Sequence, residues 1–187
     1  MTNPVKFVLE ADHESLGHLL SELEAEFASQ HFEHALELLD LFWARLAVHI
    51  RAENLHLFPA LANASPSLFT GKNGLPTHDE AQHLLLRLRK DHEFFMKDLA
   101  ARVKTMREIV GSPLVHLEEI KEVRRGMNTV KKRLLVHNRM EEKQVYTWPV
   151  LLFDEVTVAQ LCEGLQHELN NLPGRLAREA TGNARDV

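Results

Sequence analysis

Four long tracts of this chain repeat apolar residues at alternating spacings of three and four, and that repeat dictates the fold. The first tract reads His13, Leu16, Leu20, Leu23, Phe27, and the second Leu39, Phe42, Leu46, His49, Glu53. The third gives Leu85, Leu88, His92, Phe95, Leu99, and the fourth Met127, Val130, Leu134, His137, Glu141. Such spacing places each set on one face of a helix, and four such faces bury one another in a bundle. No segment alternates as a strand would. The expected class is therefore all-α, an up-down-up-down four-helix bundle.

Glycine and proline punctuate the tracts. The first helix is expected from about Glu10 to Ala28. The second follows a tight turn near Ser29–Gln30 and reaches about Leu61. The segment "NASPSLFTGKNGLPT" (63–77) holds Pro66, Gly71, Gly74 and Pro76 and reads as the longest loop. The third helix runs from about Asp79 to Val110. Gly111, Ser112 and Pro113 close it and open the fourth, which reaches about Val145, with Pro149 marking its end or a kink.

An additional C-terminal helix is expected from Thr157, capped through Gln160, with an apolar stripe of Val158, Leu161, Leu165, Leu169, Leu172 and Leu176 that Pro173 interrupts. It either packs across the bundle or meets another copy of the chain, so monomer and homodimer both stay open. The domain reading is a bundle over 1–153, a helical extension over 154–180 and a frayed tail over 181–187.

The seams carry a contradiction. Each has a histidine where an apolar residue belongs, and two also carry a glutamate one turn on, in "LAVHIRAENLHLFP" and "LLVHNRMEEKQVYTWP". An ionised carboxylate in a core must be neutralised, paired or bound to a metal. Counted from the interhelical turns, the four histidines differ in depth by about 6–8 Å at roughly 1.5 Å per residue, so one shared layer is expected. His13, His49, His92, His137, Glu53 and Glu141 then converge as four imidazoles and two carboxylates. That donor set suits iron, manganese or zinc rather than calcium or magnesium. Two carboxylates between two histidine pairs would bridge two metals at roughly 3.5–4 Å. A metal-free network of two His–Glu pairs is the competing reading, but it gains little stability.

Composition narrows the function. Of 187 residues, 44% are hydrophobic and 26% charged, and the net charge is −5. An acidic balance argues against nucleic acid or an anionic membrane as the main partner. No tract is apolar enough to span a bilayer and the N-terminus lacks a signal-peptide run, so a cytoplasmic location is expected. The single cysteine, Cys162, excludes an intrachain disulfide, a thiolate zinc site and an iron–sulfur cluster. The histidines are conspicuous: there are twelve.

The ordered motifs "DHESL" (Asp12–Leu16), "HIRAE" (His49–Glu53), "KDHEFF" (Lys90–Phe95) and "HNRMEE" (His137–Glu142) resemble the hemerythrin-like family with its His-His-Glu cation-binding signature. The resemblance covers about Asp12 to Pro149. It implies iron as the metal, bridged by Glu53, Glu141 and an oxo or hydroxo group, with His13, His49, His92 and His137 as terminal ligands; other divalent transition metals remain open. Oxygen-carrying relatives have a fifth histidine one turn along the third helix, where this chain has Met96. The four-histidine version implies binding or sensing of oxygen, nitric oxide or related oxidants. Iron storage, delivery or repair of iron–sulfur centres is the second reading, and a metal-free interaction module the third. No organic substrate pocket is evident, so an enzyme with a defined turnover is not expected.

The ferritin-like di-iron class is a rival that needs Glu-x-x-His on two helices and a glutamate on each of the others. Glu53-Asn54-Leu55-His56 fits once, but Gln144 stands at the place equivalent to His56 after Glu141. His18, His31, His34, His78, His83, His116 and His167 read as surface or capping residues, and the His18–Glu22 pair as coincidence. His56 is the exception expected to support the site, as is Glu142, since a ligating imidazole needs an acceptor on its other nitrogen. Tyr146 reads as a core aromatic within reach of the site. Trp43, Phe42, Phe58, Phe94 and Phe95 read as packing that keeps the pocket dry.

Overall fold

The computed structural model describes residues 3–112 and 117–172. Helix α1 spans Pro4–Ser29, α2 Phe32–Ala52, α3 Phe58–Ala62, α4 His78–Val110, α5 Leu117–Lys143, α6 Pro149–Leu152 and α7 Glu155–Leu169. There is no strand among the described residues; the only pairing of that kind is an isolated bridge between Thr70 and Thr77. Helices α1, α2, α4 and α5 form the four-helix bundle, with α1 against α2, α4 against α5 and α2 against α4.

The first helix starts six residues before the expected Glu10. Asn3 caps it, its side chain accepting from the Lys6 N–H at 3.0 Å, and Pro4 occupies the first turn, where its missing N–H is no loss. The helix ends at Gln30 in the left-handed region (φ 62), whose N–H bonds back to the Glu26 carbonyl. A capping box between Thr77 and Glu80 opens α4 after the loop. The fourth helix stops at Lys143, and a short 3-10 turn, Val145–Thr147, follows it.

The second tract is not one continuous α-helix. Residues Glu53–Leu57 form a π-helical turn between α2 and α3. Pro59 explains the change. It has no N–H to give the turn before it, and its ring would press on the carbonyl four residues back. The chain widens instead, with the Phe58 N–H bonding to the Glu53 carbonyl five residues back.

The C-terminal helix starts at Glu155, not Thr157. Asp154 is its cap and accepts from the Thr157 N–H at 2.8 Å, so Thr157 is the residue being capped. Helix α7 lies across α1, α2 and the π turn of its own chain. Val158, Leu161 and Leu165 are buried there, and Arg51 clamps its end through Glu168 at 2.6 Å. Gly164 allows the close approach, because a Cβ at that position would meet the His56 ring at 2.7 Å. Pro113, His116, Pro173, Leu176 and the tail 181–187 lie outside the described residues.

Every seam position named from the sequence is buried. The apolar core nevertheless comes in two parts. One holds Leu16 to Phe27 of α1 with Leu39, Leu46, Phe95, Leu99 and Val130. The other holds Val5 and Leu9 of α1 with Leu57, Phe58, Leu88, Tyr146, Trp148 and the inner face of α7. The buried polar residues sit at the sequence positions where each helix passes from one part to the other. They are His13, His49, Glu53, Asp91, His92, His137 and Glu141.

Candidate metal centre

All four helices deliver one imidazole to this layer, and each presents Nε2 to the others. His13 Nε2 and His49 Nε2 lie 3.1 Å apart, and so do His92 Nε2 and His137 Nε2. The two glutamates stand between these pairs. Glu53 Oε2 is 3.5 Å from His49 Nε2 and 3.2 Å from His92 Nε2. Glu141 approaches His137 Nε2 at 2.9 Å through Oε1 and His13 Nε2 at 3.5 Å through Oε2. Each carboxylate thus faces one ring from each pair.

Two overlapping donor groups result. Glu53, His92, His137 and Glu141 have ligand atoms all within 4.8 Å of one another, as do His13, His49 and Glu141. Glu141 is common to both. The six residues picked from the seams are therefore the six the fold brings together.

The donor set fits a cation. Glu53 and Glu141 are wholly buried, and Glu53 Oε2 and Glu141 Oε1 face imidazole nitrogens, His92 Nε2 at 3.2 Å and His137 Nε2 at 2.9 Å. Buried acceptors of this kind need compensating positive charge. Protons supply it in the metal-free chain. Burial opposes charge on His49, but Glu53, Asp12 and Glu141 outweigh it and lift the ring from 6.5 to about 9. Burial likewise opposes charge on His137, which Glu141 and Asp91 lift to about 10. Glu141 resists burial in the same way and is held well below the usual carboxylate range, His137 foremost among the groups responsible. A metal ion would take over the role of those protons.

The outward ring nitrogens show how the imidazoles are aimed. His13 Nδ1 donates to Glu142 Oε1 at 2.9 Å. His49 Nδ1 donates to Asp12 Oδ2 at 2.9 Å, and Arg45 holds the other oxygen of Asp12 at 2.8 Å. His137 Nδ1 lies 3.4 Å from Asp91 Oδ2, with Arg133 on Asp91 Oδ1 at 2.7 Å. These carboxylates fix the rings so that Nε2 faces inward, as orienting acceptors do at metal sites. Glu142 was legible in the sequence. The specific tasks of Asp12 and Asp91 were not, because each serves a histidine on the neighbouring helix.

Tyr146 belongs to the cluster rather than merely to the core. Its hydroxyl donates to Glu53 Oε1 at 2.7 Å and lies 3.1 Å from His13 Nε2 and 3.4 Å from Glu141 Oε2. Burial, with the two carboxylates, pushes its own ionisation well above 10, so without a metal it stays a neutral donor. It arrives from the 3-10 turn after α5, where no helical period could have placed it.

Aromatic rings close the layer. Phe58 stacks on His92 with centroids 5.4 Å apart and planes 3° from parallel. Phe95 meets His137 edge-on at 5.3 Å. Phe94 instead carries the Arg133 guanidinium over its face.

His56 does not support the centre. The π turn directs its ring against Gly164 of α7, and its Nε2 has no hydrogen-bond partner. The Glu53-x-x-His56 motif of the ferritin-like rival is thereby taken apart. His18 and Glu22 are exposed, as are His31, His34, His83 and His167. Met96 is half-buried, beside His92 in the lining of one cavity.

The chain matches the hemerythrin HHE cation binding domain family over residues 6–149. No curated protein and no solved structure matches it. No described helix is long and apolar enough to cross a membrane.

Proposed function

Because the chain belongs to the hemerythrin HHE cation-binding family, we propose that its polar layer holds two iron ions and binds or senses oxygen, nitric oxide or related oxidants. His13 and His49 would hold one ion, His92 and His137 the other, with Glu53 and Glu141 shared between them. The observation that carries this reading is the orientation of the four rings. All point Nε2 at two shared, wholly buried carboxylates. Bound iron would supply open coordination positions for a small ligand and a change of oxidation state.

The protein's own contribution is positional. Asp12, Asp91 and Glu142 hold three of the rings by their outer nitrogens, while Tyr146 steadies Glu53. Phe58 and Phe95 keep water from the inner faces of the His92 and His137 rings. Met96, in place of a fifth imidazole, leaves one ligand fewer than oxygen carriage uses. That favours reaction or sensing over stable reversible carriage. Iron storage or delivery, including repair of iron–sulfur centres, is the reading to separate from it.

Metal analysis of untagged protein from iron-replete cells tests the proposal. The expected result is close to two irons per chain, with His49→Ala and Glu141→Ala each losing metal. Less than one metal ion per chain would overturn the di-iron reading. Nitric oxide added anaerobically to the reduced protein is expected to change its optical spectrum; an unchanged spectrum would speak against ligand binding. Ready transfer of iron to a chelator would favour delivery.

A further inference from the structure

Three of the four cluster histidines have a carboxylate on the outer nitrogen, and His92 does not. Its Nδ1 is buried without a hydrogen-bond partner, in a residue only 2% exposed. Its Nε2 is committed to the centre, within 3.2 Å of Glu53 Oε2. When Nε2 serves as a ligand the ring proton sits on Nδ1, a donor that needs an acceptor. The Oδ1 of Asn54 is an acceptor in the mirror condition, buried and without a donor. Both residues line one cavity of about 430 Å³, together with Ile50, Arg89, Glu93 and Met96. Asn54 follows Glu53 in the π turn, so the turn that delivers the carboxylate also delivers the amide.

We infer that Asn54 is the positioning residue for His92 and acts through a water in this cavity. The water accepts from His92 Nδ1–H and donates to Asn54 Oδ1. The cavity has the room and the polar partners a bound water requires. His92 is then aimed by a neutral, exchangeable link where the other three rings are aimed by charge. Its consequence for metal rests on the two-iron reading: the ion held by His92 and His137 is the first to leave.

Two measurements test this. In the metal-free protein, imidazole nitrogen NMR reads the His92 Nδ1–H directly. Asn54→Leu is expected to speed its exchange with solvent, and Asn54→Asp to move it downfield and slow exchange, with the His49 signal unmoved. A His92 signal that neither substitution moves would overturn the role of Asn54. In the iron-loaded protein, release to a chelator is expected in two phases. Asn54→Leu should speed the first by about ten-fold and Asn54→Asp slow it by about ten-fold, the lower end for an orienting partner. A first phase unchanged in both variants would overturn the order of release. A wild-type chain that takes up no iron would sink the di-iron reading, whereas the NMR result on metal-free protein decides the task of Asn54 by itself.

Discussion

Asp12 of α1 accepts from His49 of α2 at 2.9 Å, although its neighbour in sequence is a different cluster histidine, His13. The same crossing recurs in the other half, where Asp91 of α4 faces His137 of α5 at 3.4 Å. Each Asp-His dipeptide therefore serves two helices: the imidazole enters the layer from its own helix, and the carboxylate aims the imidazole of the next. The pairing ties helix packing to ring orientation.

Asp12→Asn should keep the shape of this link and remove its charge. The amide no longer favours Nδ1–H on His49, and metal affinity is expected to fall about 10–100-fold. Competition against a chelator of known affinity measures the drop. Unaltered affinity would mean that Arg45 and packing alone aim the ring.

Tyr146→Phe should destabilise the metal-free protein by about 1–3 kcal/mol, the usual cost of leaving a buried acceptor without its donor. The acceptor is Glu53 Oε1, 2.7 Å from the hydroxyl. Urea unfolding with and without iron checks it. The loss is expected to be smaller in the loaded protein, where a cation offsets the carboxylate charge; an equal loss would assign the hydroxyl to packing.

The metal-free protein should lose stability as pH rises from about 6.5 to about 10. His49 and His137 are raised from 6.5 to about 9 and about 10 in the fold, their carboxylate partners overcoming burial. A group whose folded value lies above its unfolded value stabilises fully below the unfolded value, and the effect fades as pH climbs through the folded one. Glu141 runs the opposite way: it is depressed, so its contribution is present above the usual carboxylate range and is lost in acid. Melting temperatures across pH, in chelator and in iron, provide the measurement. The iron-loaded protein, with neutral imidazoles, should not share the alkaline decline.

The bundle and its six inward residues were legible because burial repeats along a helix with a fixed period, and a polar residue that breaks the period declares itself. What surrounds them obeys no period. Asp12 and Asp91 act across helices, and Tyr146 acts from a 3-10 turn beyond the end of α5. His56 shows the converse failure. An α-helical count from Glu53 places it one turn along the same face, but both residues lie in the five-residue π turn, which directs His56 toward α7. Asn3 and Asp154 were missed as caps because each lies outside the apolar repeat used to set the helix limits.

The π turn at Glu53–Leu57 lets the chain carry one residue more between Glu53 and Phe58 than an α-helix would. Deleting one residue between Glu53 and Phe58 would let the Phe58 N–H reach the same Glu53 carbonyl as an ordinary α-helical bond, with everything downstream kept nearly in phase. Phe58 would keep its place on the face of His92, and Leu61 its place in the core. What the extra residue supplies is the local widening that seats His56 against Gly164 of α7 and brings Asn54 to the cavity beside His92.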